Sequence, residues 1–417
     1  MMKNALVSFT GDKQIHTEIT LTGSKSECNR ALIISALSKG LVAVENMSNA
    51  ADTVTLNRIL NELSQDNPQQ QTVDVGPAGT AMRFLTAFLA AKNGRFLLTG
   101  SERMKQRPIG ILAEALKAIG ADIIYAEQDG YPPILIQGPL KQSASLVKIQ
   151  GDISSQYISA LLMIAPTLSQ GLTLEIQGEL TSLPYVNMTL EMLAEAGISH
   201  KWQGKNITIQ PQEFKKATLA VEPDWSAASY WFSIAALANE AQIELPYLKD
   251  KSLQGDSRIR EIMLNFGVKT ASTGSGISLS TTKKNFSDEV MDLKDCPDLA
   301  QTIIVCAAVL GQNLRFTGLE TLKIKETDRV LALQTELAKI GVSLTEKDLV
   351  YTLDCKSLHF PDQVTIRTYD DHRMAMAFAP IALLINTVEL EDMDVVEKSY
   401  PDFWKDLQKA GFTIKEH

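Results

Sequence analysis

Apolar and polar positions along the chain repeat in one pattern six times. Each copy opens with a Gly, Pro or Asp turn, continues through small polar residues and enters an Ala-rich apolar run of helical length. The copies begin at residues 23, 76, 151, 223, 297 and 370, so successive starts lie 53, 75, 72, 74 and 73 residues apart. This regularity predicts six related structural units.

A second pattern lies between these runs, in which an amphipathic helix ends at a glycine and a β-rich segment follows. Each glycine fits the position just after a helix end, where the backbone is left-handed. These glycines are Gly120, Gly197, Gly267, Gly341 and Gly411. Each unit should therefore hold strands and two helices, which predicts an α/β (α+β) protein. The first unit is shorter, because the polar stretch 64–71 stands where the glycine and strand should be.

Composition narrows the class of protein. The 417 residues suffice for two or three domains, and the net charge of −9 argues against a general nucleic-acid binder. Four cysteines without a CxxC pair predict reduced thiols, and five histidines without ligand spacing predict no metal site. No signal peptide is evident, and the longest apolar run, residues 374–385, is too short to span a bilayer. We expect a cytoplasmic protein with no membrane or nucleic-acid partner.

The starts of the repeated helices carry different side chains from copy to copy. Helix N-termini present unpaired N–H groups, so several that converge can bind an anion. The residues near these starts include Lys25, Ser26, Arg30, Gly79, Thr80, Arg83, Ser154, Ser155, Gln156, His372 and Arg373. Asp152, Asp224, Asp298 and Asp371 occupy equivalent turn positions, where Asp is a preferred N-cap. From the residues alone, capping is the simpler interpretation of these four aspartates.

Residues 325–329 place Lys325 and Arg329 four apart at the head of an amphipathic run, with Glu326 beside them. Like charges on one helical face repel unless an anion lies between them. Two interpretations stay open: a solvated helix start with a Glu326–Arg329 ion pair, or a polyanion site whose cations tune the carboxylate. Arg107 precedes Pro108, and proline suits the first turn of the helix predicted over residues 109–119. Lys398 stands in the same relation to the last helix, before Tyr400 and Pro401.

Eight motifs in order resemble the 5-enolpyruvylshikimate-3-phosphate synthase family over nearly the whole chain. They are Gly-Ser-Lys-Ser (23–26) with Arg30, residues 78–83, 103–110, 154–156, 183–185, 297–298, 325–329 and 371–376. The resemblance implies a two-domain enolpyruvyl transferase fold, with three βαβαββ units in each domain and the active site in the interdomain cleft. It implies one domain from residues 1–22 plus 223–417, and another from residues 23–222 with a shortened first unit.

The resemblance also implies a reaction. Family members transfer the enolpyruvyl group of phosphoenolpyruvate to the 5-hydroxyl of shikimate 3-phosphate and release phosphate. The reaction is an addition and elimination through a tetrahedral ketal, and it uses no metal or organic cofactor. The implied partners are these two small molecules. The implied form is a monomer whose domains close around them.

The matching motifs carry over the family's site residues. Asp298 would be the base that faces the 5-hydroxyl, Glu326 would handle the methylene proton, and Lys25 would assist. Shikimate 3-phosphate would be held by Lys25, Ser26, Arg30, Ser154, Ser155, Gln156, Ser182, Tyr185, Asp298, Thr321 and Lys325. Phosphoenolpyruvate would be held by Lys25, Gly79, Arg107, Gln156, Arg329, Arg373 and Lys398. The chain departs from the family's motifs at Thr22, Pro77, Phe84, Trp225 and Thr321.

Three alternatives follow from related scaffolds. The UDP-N-acetylglucosamine enolpyruvyl transferases usually carry a cysteine in the loop before the Arg-Pro pair, and residues 100–108 contain none. The RNA 3′-phosphate cyclases would need a catalytic histidine, and His372 within Asp-His-Arg-Met does not match that signature. A non-catalytic phosphometabolite-binding protein would keep the cations but lose an acid or base, whereas Asp298 and Glu326 are both present.

Overall fold

The computed structural model describes residues 3–63, 70–152, 154–286 and 289–417. Most of the polar stretch that shortens the first repeat, residues 64–69, lies outside the described residues. The chain divides into two compact units, and each is considered by itself. Unit 1 comprises Met1–Thr22 with Glu222–His417, and unit 2 comprises Gly23–Val221.

The strands of the described chain are short, and most alternate between buried and more exposed positions, as half-buried sheets do. In the first half they are β1 (Ala5–Ser8), β2 (Gln14–Glu18), β3 (Val42–Glu45), β4 (Gln71–Asp74), β5 (Gly94–Thr99), β6 (Asp122–Tyr125), β7 (Ile134–Gly138), β8 (Leu146–Gln150), β9 (Leu172–Gln177), β10 (Lys201–Gln203) and β11 (Asn206–Ile209). The remainder are β12 (Ala217–Ala220), β13 (Glu240–Pro246), β14 (Val268–Ser272), β15 (Gly276–Thr281), β16 (Val290–Asp292), β17 (Arg315–Thr317), β18 (Ser343–Lys347), β19 (Val350–Asp354), β20 (Gln363–Ile366), β21 (Thr387–Leu390) and β22 (Thr413–Glu416).

Two sets of helices alternate with these strands, as the two sequence patterns predict. The α-helices are α1 (Lys25–Leu37), α2 (Ala51–Glu62), α3 (Gly79–Ala91), α4 (Glu102–Lys105), α5 (Gly110–Ala118), α6 (Ser155–Ile164), α7 (Leu183–Glu195), α8 (Trp225–Leu237), α9 (Ile259–Asn265), α10 (Ala300–Val309), α11 (Arg329–Ala338), α12 (His372–Phe378) and α13 (Phe403–Lys409). Short 3₁₀ helices cover Ala165–Thr167, Gly255–Arg258, Pro297–Leu299, Glu320–Ile324, Ala379–Leu383 and Met393–Lys398.

The sheets of the described chain reproduce the predicted repeat. Five four-stranded sheets share one topology, with a parallel pair followed by two antiparallel neighbours; β4-β5-β7-β6 and β16-β17-β19-β18 are two of them. In the sixth, β3 pairs in parallel with β12 and the antiparallel strands are missing from the described residues. This two-stranded sheet belongs to the first repeat, which the sequence predicts to be short.

The Ala-rich repeated helices form the centre of each unit. In unit 1, α8, α10 and α12 contact one another, and nearly every residue of these helices is buried. In unit 2, α1, α3 and α6 also contact one another; α3 and α6 are almost wholly buried, and α1 is buried from Glu27 to Ile34. A helix that is apolar on all sides belongs inside a domain, while the amphipathic helices of the second pattern can face solvent. The small side chains of these runs suit close helix packing.

The second pattern is confirmed at its glycines. Gly120, Gly197, Gly267, Gly341 and Gly411 all have left-handed backbone, with φ between +76° and +105°. A residue with a Cβ would be strained in this conformation, so glycine ends each amphipathic helix and turns the chain into the next strand.

The capping prediction for Asp152 is wrong. Ser154, not Asp152, caps α6, because its hydroxyl accepts a hydrogen bond from the Gln156 N–H. Asp298, which the resemblance assigns to the active site and not to a cap, lies inside the 3₁₀ turn Pro297–Leu299. Asp224 and Asp371 do cap α8 and α12, as predicted.

Two predicted helix starts also shift. Helix α11 begins at Arg329, and Lys325 lies before it in extended backbone, so these two cations do not share a helical face. Helix α5 begins at Gly110, which leaves Pro108 outside its first turn. Across the part of the chain that the structure describes, no helix is both long enough and apolar enough to cross a membrane.

Candidate active site

A buried arginine organises the ionised groups of unit 1. Arg329 opens α11 and is 1% exposed. Its Nε lies 2.7 Å from Asp371 Oδ2, its Nη2 lies 3.0 Å from Glu326 Oε2, and its Nη1 lies 3.1 Å from Asp298 Oδ1. The Nη2 group also donates to Asp371 Oδ1 at 3.3 Å, so the described residues accept four of the five N–H donors of this arginine and leave one Nη1 hydrogen.

Asp298 lies among three cations. One oxygen accepts from Arg329, and the other accepts from Arg373 Nη2 at 2.9 Å. Lys325 Nζ stands 3.8 Å from Asp298 Oδ1. The Asp298 side chain is 23% exposed, so a small molecule can reach a carboxylate that is already oriented by its neighbours. This arrangement suits a group that must accept a proton at a fixed position.

Glu326 is the second partly accessible carboxylate, with a side chain that is 14% exposed. Its Oε1 lies 3.3 Å from Lys398 Nζ, while Oε2 accepts from Arg329. The Glu326–Arg329 ion pair of the simpler sequence interpretation is therefore present, but it lies within a larger cluster. Lys398 reaches this cluster from the end of the 3₁₀ turn Met393–Lys398.

Arg373 links the cluster to a deeper polar network. Besides Asp298, its Nη2 donates to Ser226 Oγ at 3.3 Å, and its Nη1 donates to the Tyr230 hydroxyl at 3.4 Å. Ser226 in turn donates to Asp256 Oδ2. These partners stand on α8 and in the 3₁₀ turn Gly255–Arg258, so three separate chain segments fix one guanidinium.

Burial and charge act in opposite directions on these cations. Burial alone disfavours ionised Arg329, but Asp371, Glu326 and Asp298 together raise its pKa above the ordinary value. Burial likewise opposes the charge of Arg373, and Asp298 leads the groups that raise its pKa. For Lys325 burial prevails and lowers the pKa, with Asp298 opposing the shift. An anionic ligand would stabilise the charge on Lys325.

Asp256 is a buried carboxylate whose ionisation should be measurable. Burial raises its pKa to about 6, Asp298 adds to the shift, and Arg373 opposes it. Because this pKa exceeds the unfolded value of about 3.9, the folded protein holds the proton more tightly, and stability falls as pH rises from about 4 to about 6. We therefore compare the unfolding free energy of Asp256→Asn with that of the parent at two pH values. The variant's value minus the parent's should increase by about 2 kcal/mol from about pH 4.5 to about pH 7.5.

Urea titrations at the two pH values measure this difference. Trp225, Trp231 and Trp404 lie in unit 1, so Trp202→Phe makes tryptophan fluorescence a reporter of that unit. Both proteins would carry this change. A difference that does not vary with pH would instead assign the effect of Asp256→Asn to altered hydrogen bonding.

In unit 2 a second buried arginine joins four helices. Arg30 of α1 is 2% exposed and donates to the Ser26 carbonyl, to Thr189 Oγ1 of α7 and to Ser159 Oγ of α6. Phe84 of α3 lies beside it. Burial lowers the pKa of Arg30 to about 10, which still leaves the side chain charged near neutral pH.

Gly79, the first residue of α3, lies against two further arginines. A Cβ at this position would lie 2.6 Å from Arg107 Nη1 and 2.9 Å from Arg83 Nη1, so any side chain would displace a guanidinium. Arg83 donates to the Gly79 carbonyl at 2.8 Å and stands 5.7 Å from the Tyr157 ring. Tyr157 ties α6 to the same place, because its hydroxyl donates to the Pro108 carbonyl.

The remaining predicted groups of unit 2 lie at helix starts. Lys25 begins α1 and pairs with the buried Asp52 at 3.5 Å. Gln156 Nε2 donates to Thr80 Oγ1 at 3.3 Å, which connects the starts of α6 and α3. Ser182 precedes α7 in left-handed backbone, and its side chain makes no capping hydrogen bond. Strained backbone of this kind is common where a side chain serves a ligand.

The structure thus joins most predicted residues into one group per unit. In unit 1 the group contains Asp298, Lys325, Glu326, Arg329, Arg373 and Lys398. Thr321 lies in the 3₁₀ turn Glu320–Ile324, and no described hydrogen bond connects it to this group. In unit 2, Ser26 and Tyr185 contact Arg30, while Ser154 and Ser155 stand at the head of α6.

Several participants were not among the predicted site residues. Arg83 and Asp371 lie within the recognised motifs and could have been found there. The other participants could not have been found from neighbouring residues in the sequence, because each contacts a partner that is distant along the chain. They are Asp52, Ser159, Thr189, Ser226, Tyr230 and Asp256. Among the described residues, no group of three His, Cys, Asp or Glu side chains is placed to hold a metal ion.

Paired, partly accessible carboxylates among arginines and lysines define a class of protein: an enzyme with acid–base groups arranged for small, multiply charged anions. A family model described as EPSP synthase (3-phosphoshikimate 1-carboxyvinyltransferase) matches residues 9–407. The chain is 47% identical over 414 residues to a 3-phosphoshikimate 1-carboxyvinyltransferase of Bacteroides fragilis, with 98% of each chain covered. A protein of the same name from Aliivibrio fischeri is 34% identical over 422 residues, with 95% of this chain and 97% of the relative covered.

A solved EPSP synthase from Acinetobacter baumannii has the same fold, with a TM-score of 0.78 at 20% identity over 99% of this chain and 100% of that chain. The chain belongs to the EPSP synthase family. The resemblance and the fold class inferred from the eight motifs are thereby confirmed.

Proposed function

We propose that this chain transfers the enolpyruvyl group of phosphoenolpyruvate to the 5-hydroxyl of shikimate 3-phosphate and releases phosphate. The observation that carries the proposal is the cluster of unit 1, where Asp298 and Glu326 contact Lys325, Arg329, Arg373 and Lys398. Two substrates with phosphate and carboxylate groups need such a concentration of cations, and the chemistry needs two acid–base groups.

The reaction proceeds in two balanced steps. First the 5-hydroxyl oxygen bonds to C2 of phosphoenolpyruvate, loses its proton to a base, and C3 gains a proton, which gives a tetrahedral ketal. Then the bond from C2 to the phosphate oxygen breaks, and C3 loses a proton as the double bond returns. Charge neutralisation on phosphate and carboxylate groups accompanies both steps.

Asp298 is the proposed base for the 5-hydroxyl, and Glu326 is the proposed group for the proton at C3. Both carboxylates are partly accessible and held in position by cations, which supports these roles. Arg373, Lys398 and the remaining Nη1 hydrogen of Arg329 are proposed to bind phosphoenolpyruvate. The planar guanidinium of arginine can donate two parallel hydrogen bonds to a phosphate or carboxylate group. This part of the site would therefore also orient phosphoenolpyruvate.

Unit 2 is proposed to supply most contacts to shikimate 3-phosphate. Arg30 and Lys25 carry the charge, and hydroxyls at the starts of α6 and α7 add hydrogen bonds; the set is Lys25, Ser26, Arg30, Ser154, Ser155, Gln156, Ser182 and Tyr185. Thr321 and Lys325 of unit 1 complete the proposed contacts. Arg107, the Gly79 backbone, Lys25 and Gln156 are proposed to contact phosphoenolpyruvate. Two guanidinium groups lie close to Gly79, and their positive charge supports the binding of an anion there.

The proposed domains are residues 1–22 with 223–417, and residues 23–222. The division of the chain after Thr22 and after Val221 supports these boundaries to within one residue. We also propose a cytoplasmic monomer. All four cysteines are free and buried, in accord with a reducing compartment. Size-exclusion chromatography with light scattering would test the monomer.

A phosphate-release assay on the purified chain tests the function. We expect phosphate only when shikimate 3-phosphate and phosphoenolpyruvate are both present, together with a product whose mass exceeds shikimate 3-phosphate by one enolpyruvyl group. Phosphate from phosphoenolpyruvate alone, or the lack of that product, would overturn the proposal. Equal turnover with UDP-N-acetylglucosamine as acceptor would replace it by the related transferase activity.

Glu326→Gln should lower kcat about a hundredfold, because the amide keeps the shape of the side chain but cannot carry the proton for C3. Steady-state kinetics with both substrates measure the change. Glu320→Gln, an exposed carboxylate in the preceding turn, serves as the control and should retain parental kcat. Parental turnover in Glu326→Gln would remove this residue from the proton transfer.

A further inference from the structure

The hydrogen bonds that Arg30 donates go to neutral groups. Its Nε donates to Thr189 Oγ1 at 2.8 Å, its Nη1 to the Ser26 carbonyl at 2.8 Å, and its Nη2 to Ser159 Oγ at 3.1 Å. No carboxylate of the described chain forms an ion pair with it, in contrast to Arg329 in unit 1. Glu27, a buried carboxylate three residues earlier on α1, favours the charged form of Arg30, but burial prevails and lowers the pKa. A buried cation that no carboxylate contacts directly carries a desolvation cost that neighbouring dipoles reduce only in part.

The hydrogen bonds leave part of the guanidinium available. An arginine has five N–H donors, one on Nε and two on each terminal nitrogen. Within the described residues three are used, so one remains on Nη1 and one on Nη2. Two N–H groups on the terminal nitrogens can bind a carboxylate or phosphate at two points, provided that the guanidinium plane is held in the correct orientation.

Two aromatic rings lie against this guanidinium. Its Cζ is 5.3 Å from the centre of the Phe84 ring and 5.9 Å from that of the Tyr185 ring. Phe84 stands on α3 and is 1% exposed, and Tyr185 stands on α7. The negative face of an aromatic ring attracts a cation, and the attraction is stronger where water is excluded. Unlike a carboxylate, a ring leaves the full charge of the arginine available to a ligand.

We propose that Phe84 is a positioning residue for substrate binding: its ring holds the Arg30 guanidinium so that the two remaining N–H groups meet an anionic group of shikimate 3-phosphate. This inference rests on the proposed function, which assigns Arg30 to that substrate. It adds a residue that does not itself need to touch the ligand. The sequence marks Phe84 as a departure from the family's motif, but gives no sign that its ring lies beside Arg30.

Replacement of Phe84 alone by phenylalanines with one, two and three ring fluorines tests the proposal. Fluorine withdraws electron density from the ring face and changes the shape little, so it weakens the attraction to Arg30 in steps. Isothermal titration calorimetry with shikimate 3-phosphate, in the absence of phosphoenolpyruvate, should show Kd rising with each fluorine to about tenfold for the trifluorinated ring. Phe84→Leu should give a similar or larger rise.

A matched control separates positioning from packing. Phe88 lies one turn further along α3, is also buried, and has no described contact with the Arg30 guanidinium. Phe88→Leu should lower the melting temperature and leave Kd for shikimate 3-phosphate unchanged. In the Phe84 variants, KM for shikimate 3-phosphate should rise with Kd, while KM for phosphoenolpyruvate stays at the parental value.

The possible results are distinguishable. A fluorination series with constant Kd, or with only a lower melting temperature, would overturn the role of Phe84 and leave the proposed function intact. A parent protein that does not bind shikimate 3-phosphate would overturn the proposed function. Stepwise weakening together with the Phe88 control would establish that Phe84 acts through the charge of Arg30.

Discussion

Replacing Asp298 by alanine should lower kcat about a thousandfold, which is the largest expected effect on activity. The substitution removes the proposed base for the 5-hydroxyl. It also removes the carboxylate that holds Arg329 at 3.1 Å and Arg373 at 2.9 Å, so the donor-binding cations lose a common partner. Steady-state phosphate release with both substrates, at saturating concentrations of each, measures the change.

Two further variants define the cause. Asp298→Asn keeps a similar shape without a base, so it should lose nearly as much turnover as alanine if proton acceptance is the main role. Asp295→Ala removes a carboxylate from the same segment three residues earlier and should keep parental turnover. An Asp298→Asn protein with near-parental kcat would exclude Asp298 as the base. Its role would then be to hold Arg329 and Arg373 in position.

Replacing Arg329 by methionine should lower the free energy of unfolding of unit 1 by about 3–5 kcal/mol. Methionine has a similar length, but Asp371, Asp298 and Glu326 would lose the cation that lies at hydrogen-bond distance from all three. Asp371 is fully buried, so its charge would be the most costly to leave without a partner. Urea unfolding followed by tryptophan fluorescence in the Trp202→Phe background measures the loss.

A double-mutant comparison isolates the charge effect. Adding Asp371→Asn to Arg329→Met should recover part of the stability, because asparagine keeps the N-cap of α12 and removes one uncompensated charge. Arg329→Lys should lose less than methionine, since it retains a charge but not the planar fork. If Arg329→Met is as stable as the parent, the three carboxylates do not depend on this arginine.

The repeat architecture could be inferred from the chain because its signals are local. An Ala-rich run such as residues 225–237 is apolar on every face, which only a buried helix accommodates. A glycine such as Gly341 ends a helix because its own backbone must turn left-handed, whatever surrounds it. The sequence also predicts that the first repeat is incomplete, because the usual glycine and strand pattern is absent there. The two-stranded sheet of β3 and β12 agrees with this prediction.

The arrangement of the site was harder to infer from the sequence, as Lys325 and Arg329 illustrate. Residues 325–329 suggested Lys325 and Arg329 on one helical face, but the helix begins only at Arg329. Asp328 provides the N-cap by accepting from the Leu331 N–H, and Lys325 lies before it in extended backbone. Helix boundaries depend on such single hydrogen bonds, so spacing in the sequence does not by itself assign neighbours.

By itself the sequence determined the six repeats, the α/β class, the family and the residue types that the chemistry needs, because each of these is written in local periodicity or in contiguous motifs. Only the tertiary structure decided how those residues are paired. It gave Arg329 three carboxylate partners, two of them from distant segments, whereas the hydrogen bonds described for Arg30 go to two hydroxyls and a carbonyl, with the rings of Phe84 and Tyr185 beside it. Interaction energies at such sites depend on distance, burial and orientation, which the order of residues does not specify.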